Sequence, residues 1–311
     1  MTPVSRRGWT LLLALGLVWG VPYLLIKEAV ASIAPAGVVA GRTLGAALLL
    51  LPVAAAQGAL RPALRHWRWV LMFGLVEMAG PFMLLSHAEQ TLPSGLTGLL
   101  VSTVPLVAAV IAFGRGDRSA LHPTRIAGLF VGIAGVGLVV GAGGDGSVTA
   151  LAVAEVIGTA VLYGIAPFIV VARLSDVPPL GSISLSLAMI GLGYLPVAIV
   201  TQNGTPTDRS IGALVGLAVL CTAIAFVLLF RLIAEVGPAR TPLLTYINPV
   251  VALALGALVL DEPITRGMLA GIPLILVGCW LASRTRGASP AVTAAPAVEP
   301  DPATLTIACG D

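Results

Sequence analysis

Trp19-Gly-Val-Pro-Tyr-Leu-Leu-Ile-Lys27 is answered about 144 residues later by Tyr163-Gly-Ile-Ala-Pro-Phe-Ile-Val-Val171. The same offset relates Pro35 and Gly37 to Pro179 and Gly181, and Pro52-Val53-Ala54 to Pro196-Val197-Ala198. It also relates Pro105 and Asp117 to Pro249 and Asp261. After a one-residue slip, Gly128 and Gly135 return as Gly271 and Gly278. The chain therefore reads as two related halves in tandem, and both are strongly apolar.

Hydrophobic residues make up 58% of the 311 residues and charged residues only 10%, far from an ordinary soluble composition. So little polar surface cannot cover that apolar mass in water. The formal net charge of +3 does not point to nucleic acid, because basic residues in such a chain mark cytoplasmic loops. Lys27 is the sole lysine among 17 cations, a skew that fits a GC-rich bacterial genome. Cys221, Cys279 and Cys309 form no CxxC step, which argues against a disulfide framework, a structural metal or a redox centre.

A bilayer-spanning helix needs about 20 apolar residues. Ten stretches qualify: 9–27, 36–56, 68–88, 93–113, 124–142, 151–172, 181–200, 210–233, 238–260 and 266–283. Turn formers separate them, among them Gly143-Gly-Asp-Gly146, Asp176-Val-Pro-Pro179 and Gly237-Pro238. With the N-terminus cytoplasmic, one side collects Arg6, Arg7, Arg61, Arg65, Arg68, Arg115, Arg118, Arg125, Arg173, Arg231, Arg240, Arg284 and Arg286. The other side holds Lys27, Arg209 and Arg266. Both termini are thus expected in the cytoplasm. Five spans per half is odd, so the second half enters from the opposite side. The predicted fold is an all-α membrane protein of ten transmembrane helices, arranged as two inverted five-helix repeats over 9–142 and 151–284. Residues 1–8 form a cytoplasmic N-terminus, and the Ala/Pro-rich 285–311 reads as a disordered cytoplasmic tail. Ser5-Arg-Arg-Gly-Trp9 faintly imitates a twin-arginine signal, but positive-inside anchoring accounts for it.

Trp19-Gly20, Lys27, Pro35 and Arg42, with the ending Asp261-Glu-Pro-Ile-Thr265, Gly271 and Gly278, resemble the EamA-type drug/metabolite transporters. The resemblance covers about residues 8–284. It implies ten helices around a central cavity, alternating access, and export of amino acids, metabolites or toxic compounds. One departure is Gly116-Asp117-Arg118, where the family carries a Gly-Glu step.

A charge at the centre of a membrane helix costs about 2.5–3.5 kcal/mol or more. Glu77 lies near the midpoint of the third span, beyond the reach of snorkelling. It must meet a polar cavity, pair with a cation, or stay protonated. Desolvation favours the neutral form of a carboxyl, the property that proton coupling needs. Glu77 is accordingly the predicted coupling and substrate residue. Its alternative is a hydrogen-bonded helix contact. Arg42 sits about 9 Å inside its span; it binds an anionic group, snorkels, or pairs with Glu28, and the structural roles are favoured. Lys27 and Glu28 read as an interfacial anchor, and Arg231 and Glu235 as a helical ion pair. His87 reads as solvated, and Glu155 as suited to a first helical turn. Asp261-Glu262 suits entry into the last helix.

Pro105 and Pro249 fall mid-span at equivalent places and predict helix kinks. Ser102, Thr103, Thr245, Tyr246 and Asn248 stand beside them. Polar groups at paired kinks near the midplane fit a substrate site between repeats. Helix–helix hydrogen bonding is the competing reading. Trp19, Tyr23 and Tyr163 complete a candidate aromatic wall, since aromatic faces attract cations. An intramembrane Glu among aromatics leans toward cationic or zwitterionic cargo. The pairs Gly16/Gly20, Gly41/Gly45, Gly128/Gly132 and Gly212/Gly216 read as helix-packing faces.

The expected function is a secondary transporter in the bacterial inner membrane, exporting a small metabolite, amino acid or drug-like compound by alternating access. Its partners are a small-molecule substrate and the lipid bilayer, with proton coupling and self-association left open. The alternatives are an uncoupled facilitator or lipid flippase on the same fold. An intramembrane enzyme is disfavoured, because His66, His87 and His122 lie apart and no nucleophile–base set is visible. No Gly-Lys-Ser/Thr step exists, so a P-loop is excluded and no cofactor or metal is implied.

Overall fold

In hydrocarbon every backbone N–H and C=O must find a partner within the protein, which leaves apolar segments to form helices. The computed structural model describes residues 5–116, 122–141, 148–236 and 244–283. Among them nine helices are long and apolar enough to cross a membrane, and Tyr246–Val259 is a shorter apolar one. Several sequence readings lie outside the described residues: the tail 285–311, the breaks at 143–146 and 237–238, Asp117, and the arginines at 118, 240, 284 and 286.

The first span is two helices, α1 (Arg6–Gly20) and α2 (Pro22–Val30), joined at Val21. Pro22 has no N–H to continue the ladder, and its preceding residue absorbs the break. The second span is α3 (Pro35–Ala56), and a short α4 (Leu60–Arg65) follows it. The third span runs through α5 (Trp67–Gly74), a π-helical turn at Leu75–Ala79, and α6 (Gly80–Ala88). The fourth breaks between α7 (Ser94–Val101) and α8 (Val104–Gly114). Next come α9 (Pro123–Gly141), α10 (Ala150–Arg173) and α11 (Pro179–Thr201). The eighth span repeats the third's design: α12 (Asp208–Ala218), a π-helical turn at Val219–Ile224, then α13 (Ala225–Val236). The last two are α14 (Leu244–Val259) and α15 (Arg266–Ser283). The two π turns begin at Leu75 and Val219, at the offset that relates the sequence halves.

Helices equivalent in sequence pack on one another, α3 on α11 and α9 on α15. The α9–α15 contact is backbone against backbone. A Cβ built on Gly278 falls 2.5 Å from the Gly132 nitrogen, and one on Gly135 falls 2.9 Å from the Ile275 nitrogen. Gly41 and Gly45 bring α3 against Leu214 and Ala218 of α12, while Gly16 and Gly20 seat Ile247 and Val251 of α14. Gly216 faces Leu25, but nothing lies within 4 Å of a Cβ on Gly212. The packing expectation therefore holds for three pairs and half of the fourth. Large apolar side chains such as Phe130, Val200 and Leu258 point outward, as a lipid-facing surface requires.

Polar contacts gather at the ends of the bundle. Lys27 is no free anchor: its ammonium donates to the carbonyls of Glu89 at 2.8 Å and Leu92 at 2.9 Å. Glu28 pairs with Arg209 of α12, not with Arg42. Glu262 caps a different helix from the one expected. Its carboxylate accepts from the Ser94 N–H at 2.7 Å, the Ser94 hydroxyl at 2.9 Å and the Gly95 N–H at 3.1 Å, so it serves the start of α7. His87 meets Glu155 at 2.7 Å. Glu235 accepts from the Ser5 hydroxyl at 2.6 Å and stands 3.9 Å from Arg7, so the expected Arg231 pair gives way to a contact with the N-terminus.

A branched side chain cannot enter the α9–α15 contact without moving backbone. Gly278→Val is expected to cost about 1–3 kcal/mol or more, read as a lowered Tm of the purified protein. Gly212→Ala, in open space, is expected to stay within about 0.5 kcal/mol of the parent.

Candidate functional site

Arg42 turns inward from α3 and is 6% exposed. Its Nε donates to the Thr222 hydroxyl at 2.9 Å. Thr222 stands in the second π turn, and its own hydroxyl donates to the Leu217 carbonyl at 2.8 Å, five residues back. The widened turn thus supplies both a carbonyl to hold the hydroxyl and a hydroxyl to hold the guanidinium. The guanidinium carbon lies 3.9 Å from the centre of the Phe82 ring on α6. Arg42 is accordingly held from both halves at once.

Tyr23 of α2, Tyr163 of α10, Cys221 of the second π turn and Glu89 lie within electrostatic range of Arg42. Tyr163 is also within range of Glu77. Glu77 occupies the first π turn at the position corresponding to Cys221 in the second. It is half-buried and makes no protein hydrogen bond among the described residues. No carboxylate among the described residues comes within ion-pair distance of Arg42. A hydrogen bond to a charged group is worth about 1.5–3 kcal/mol, and a desolvated cation–π contact about 2 kcal/mol. Burying an ion costs several kcal/mol even after relaxation. The two contacts therefore roughly offset the desolvation without neutralising the charge.

Glu89 is 0% exposed, and neither carboxylate oxygen has a hydrogen-bond partner. It lies one residue beyond the third span. Burial pushes its carboxyl well above the usual carboxylate range, and Glu262 adds to this, while Lys27 and Arg42 oppose it. Burial disfavours the charged form of a carboxyl in that position.

The structure brings together Tyr23, Tyr163 and Glu77 of the predicted residues. It places the others elsewhere. Trp19 packs with Leu12, Leu15, Leu232 and Leu244, apart from its sequence counterpart Tyr163. Ser102 and Thr103 are buried at the break of the fourth span and donate back to the Leu99 and Leu100 carbonyls at 2.6 and 2.7 Å. Pro105 interrupts that span, whereas Pro249 lies inside an uninterrupted α14. The Asn248 amide, oriented to satisfy both its atoms, donates to the Leu244 and Gly16 carbonyls. Tyr246 meets Ser283 at 3.3 Å, and the Thr245 side chain lies outside the described residues. Arg42, Thr222, Phe82 and Glu89 joined the cluster without a strong sequence signal. Only the depth of Arg42 in its span pointed to it.

A bundle of apolar helices with a charged, aromatic-lined centre defines a multi-pass membrane protein of transporter type. The chain belongs to the EamA-like transporter family, whose profile matches it twice, over residues 6–141 and 150–284. It is 25% identical over 285 residues to the uncharacterised transporter YvbV of Bacillus subtilis, covering 90% of this chain and 93% of that one. It is 28% identical over 259 residues to the uncharacterised inner membrane transporter YedA of Escherichia coli K12, covering 79% and 80%. A WAT1-related chloroplastic protein of Arabidopsis thaliana is 25% identical over 301 residues, covering 90% and 70%. A solved crystal structure superposes with a TM-score of 0.63 at 22% identity, over 89% of this chain and 97% of that one. That likeness supports the fold alone.

Because the folded Glu89 carboxyl binds its proton more tightly than the unfolded one, its share of stability is complete below the unfolded value of about 4.3. It is lost as pH rises through the folded value. The Tm of the parent is expected to fall across that window, and Glu89→Gln, which stays neutral, to remove the fall. Thermal unfolding from about pH 4 to about pH 8 reads this directly.

Proposed function

We propose that the chain is a secondary transporter that exports a small organic solute across the bacterial inner membrane by alternating access. The observation that carries the reading is the Arg42 cluster. It sits in the bundle interior and draws groups from both halves, with Arg42, Phe82, Tyr23 and Glu77 from one and Thr222 and Tyr163 from the other. A site between halves is what rocking of one half against the other can expose to each side in turn.

The proposed architecture is ten helices in two inverted five-helix repeats, 9–142 and 151–284, with both termini cytoplasmic. The double family match, the two π turns at one offset and the pairing of equivalent helices all support it. Orientation rests on the cation asymmetry of the loops. Within this reading Glu77 is the coupling residue. It is a half-buried carboxyl in a π turn, a geometry that recurs at functional sites. Ser102, Thr103, Trp19 and Asn248 act in packing and backbone satisfaction, given the partners described above, while Tyr23 and Tyr163 line the cargo path.

Proteoliposomes carrying the parent chain or Glu77→Gln test the proposal with a mixed panel of amino acids, organic cations and organic anions. The expected result is flux that a pH gradient drives in the parent and that loses its pH dependence in the variant. An unchanged pH profile in Glu77→Gln would take the coupling role from Glu77 while leaving transport standing.

A further inference from the structure

Arg42 is buried in the bundle interior, and no carboxylate among the described residues comes within ion-pair distance of it. The Arg42 Nε is committed to Thr222, and the guanidinium carbon lies over the Phe82 ring. Neither terminal nitrogen is hydrogen-bonded among the described residues, and neither is wholly shut off from open space. These two contacts fix the guanidinium from one edge and one face. What remains is the forked edge with two N–H donors, the edge that binds planar oxyanions in a bidentate manner. Tyr23 from α2, Tyr163 from α10 and Cys221 from the second π turn lie within electrostatic range of it. None of these neutralises a cation. The charged group nearest to competing is Glu89, whose oxygens make no contact with Arg42.

We propose that Arg42 is the cargo-binding residue of this protein and that the cargo is a small organic anion, its carboxylate or phosphate head held by the free edge of the guanidinium. The proposal rests on reading the cluster as the transport site. It departs from the lean toward cationic or zwitterionic cargo, which came from Glu77 and its aromatic neighbours. Glu77 is within range of Tyr163, while Arg42 stands at the centre of the cluster with a donor pair unused. Aromatic side chains beside the guanidinium suit an apolar or aromatic body behind the anionic head.

The test is binding, read without flux, so that failure of the transport assay and failure of this assignment are separate results. The full chain is reconstituted in nanodiscs and titrated calorimetrically with benzoate, phenyl phosphate, benzyl alcohol and choline at constant ionic strength. Benzoate or phenyl phosphate is expected to bind, and whichever binds identifies the oxyanion. Benzyl alcohol and choline are expected to bind at least about tenfold more weakly. Arg42→Gln is expected to weaken anion binding by about a hundredfold. Arg42→Lys keeps the charge but loses the fork, and an effect of about tenfold is expected. Arg42→Lys also preserves the test if Arg42→Gln does not fold. The assignment is overturned if neither anion binds the parent, if benzyl alcohol binds as tightly as benzoate, or if Arg42→Lys binds anions as tightly as the parent.

Discussion

The governing constraint is that a helix in a bilayer cannot leave a backbone group unanswered. Among the described residues, several interruptions in this bundle are accompanied by a substitute partner. At the break before Pro105, Ser102 and Thr103 return hydrogen bonds to nearby carbonyls, and the Cys279 thiol reaches the Ser102 carbonyl at 3.2 Å. In the second π turn, Thr222 answers Leu217. At the end of the third span, Lys27 answers two carbonyls with one ammonium. At the start of α7, Glu262 answers two N–H groups with one carboxylate. Polar side chains, few in this chain, are therefore spent first on the backbone. Among those left over in the described interior are Arg42, Glu77 and Glu89, whose charge calls for a functional reading.

This accounting explains what could be read from the sequence. Apolar length and turn formers located the spans, and the observed helices begin and end within a few residues of the expected stretches, the start of the ninth lying outside the described residues. Glycine spacing identified the close contacts, because a missing Cβ has one main use between apolar helices. Depth was legible too: Glu77 and Arg42 were placed inside the membrane by counting. What sequence does not carry is the direction a side chain takes around its helix, or which distant element it meets. Thr222 is 180 residues from Arg42, and Glu262 is 168 from Ser94. No periodicity links such positions. The π turns were equally hidden, since an extra residue in a turn leaves no compositional mark. Their shared offset becomes visible only when the two halves are laid together.

The same limits explain why the candidate site shifted toward Arg42. The sequence reading weighted residues that looked symmetric, such as Trp19 with Tyr163 and Pro105 with Pro249. In the folded chain these pairs have diverged, one member of each serving the cluster or a break and the other serving packing. Cys221 at the place corresponding to Glu77 shows the same divergence. A duplicated scaffold supplies equivalent positions, and the chemistry need occupy only one of each pair.

The contact between α9 and α15 has a consequence of a genetic kind. It joins two stretches that descend from one pattern, so each is built to receive a copy of itself. Gly128 meets the carbonyl of Gly278, and Gly271 meets the carbonyl of Gly135. A surface that is its own complement needs only one set of residues to be found, since doubling it creates the partner at the same moment. Once the two copies lie in one chain they are free to drift, but each can change only as far as the other yields. Such a seam favours smallness on both sides, because a side chain added to either face meets the backbone of the other.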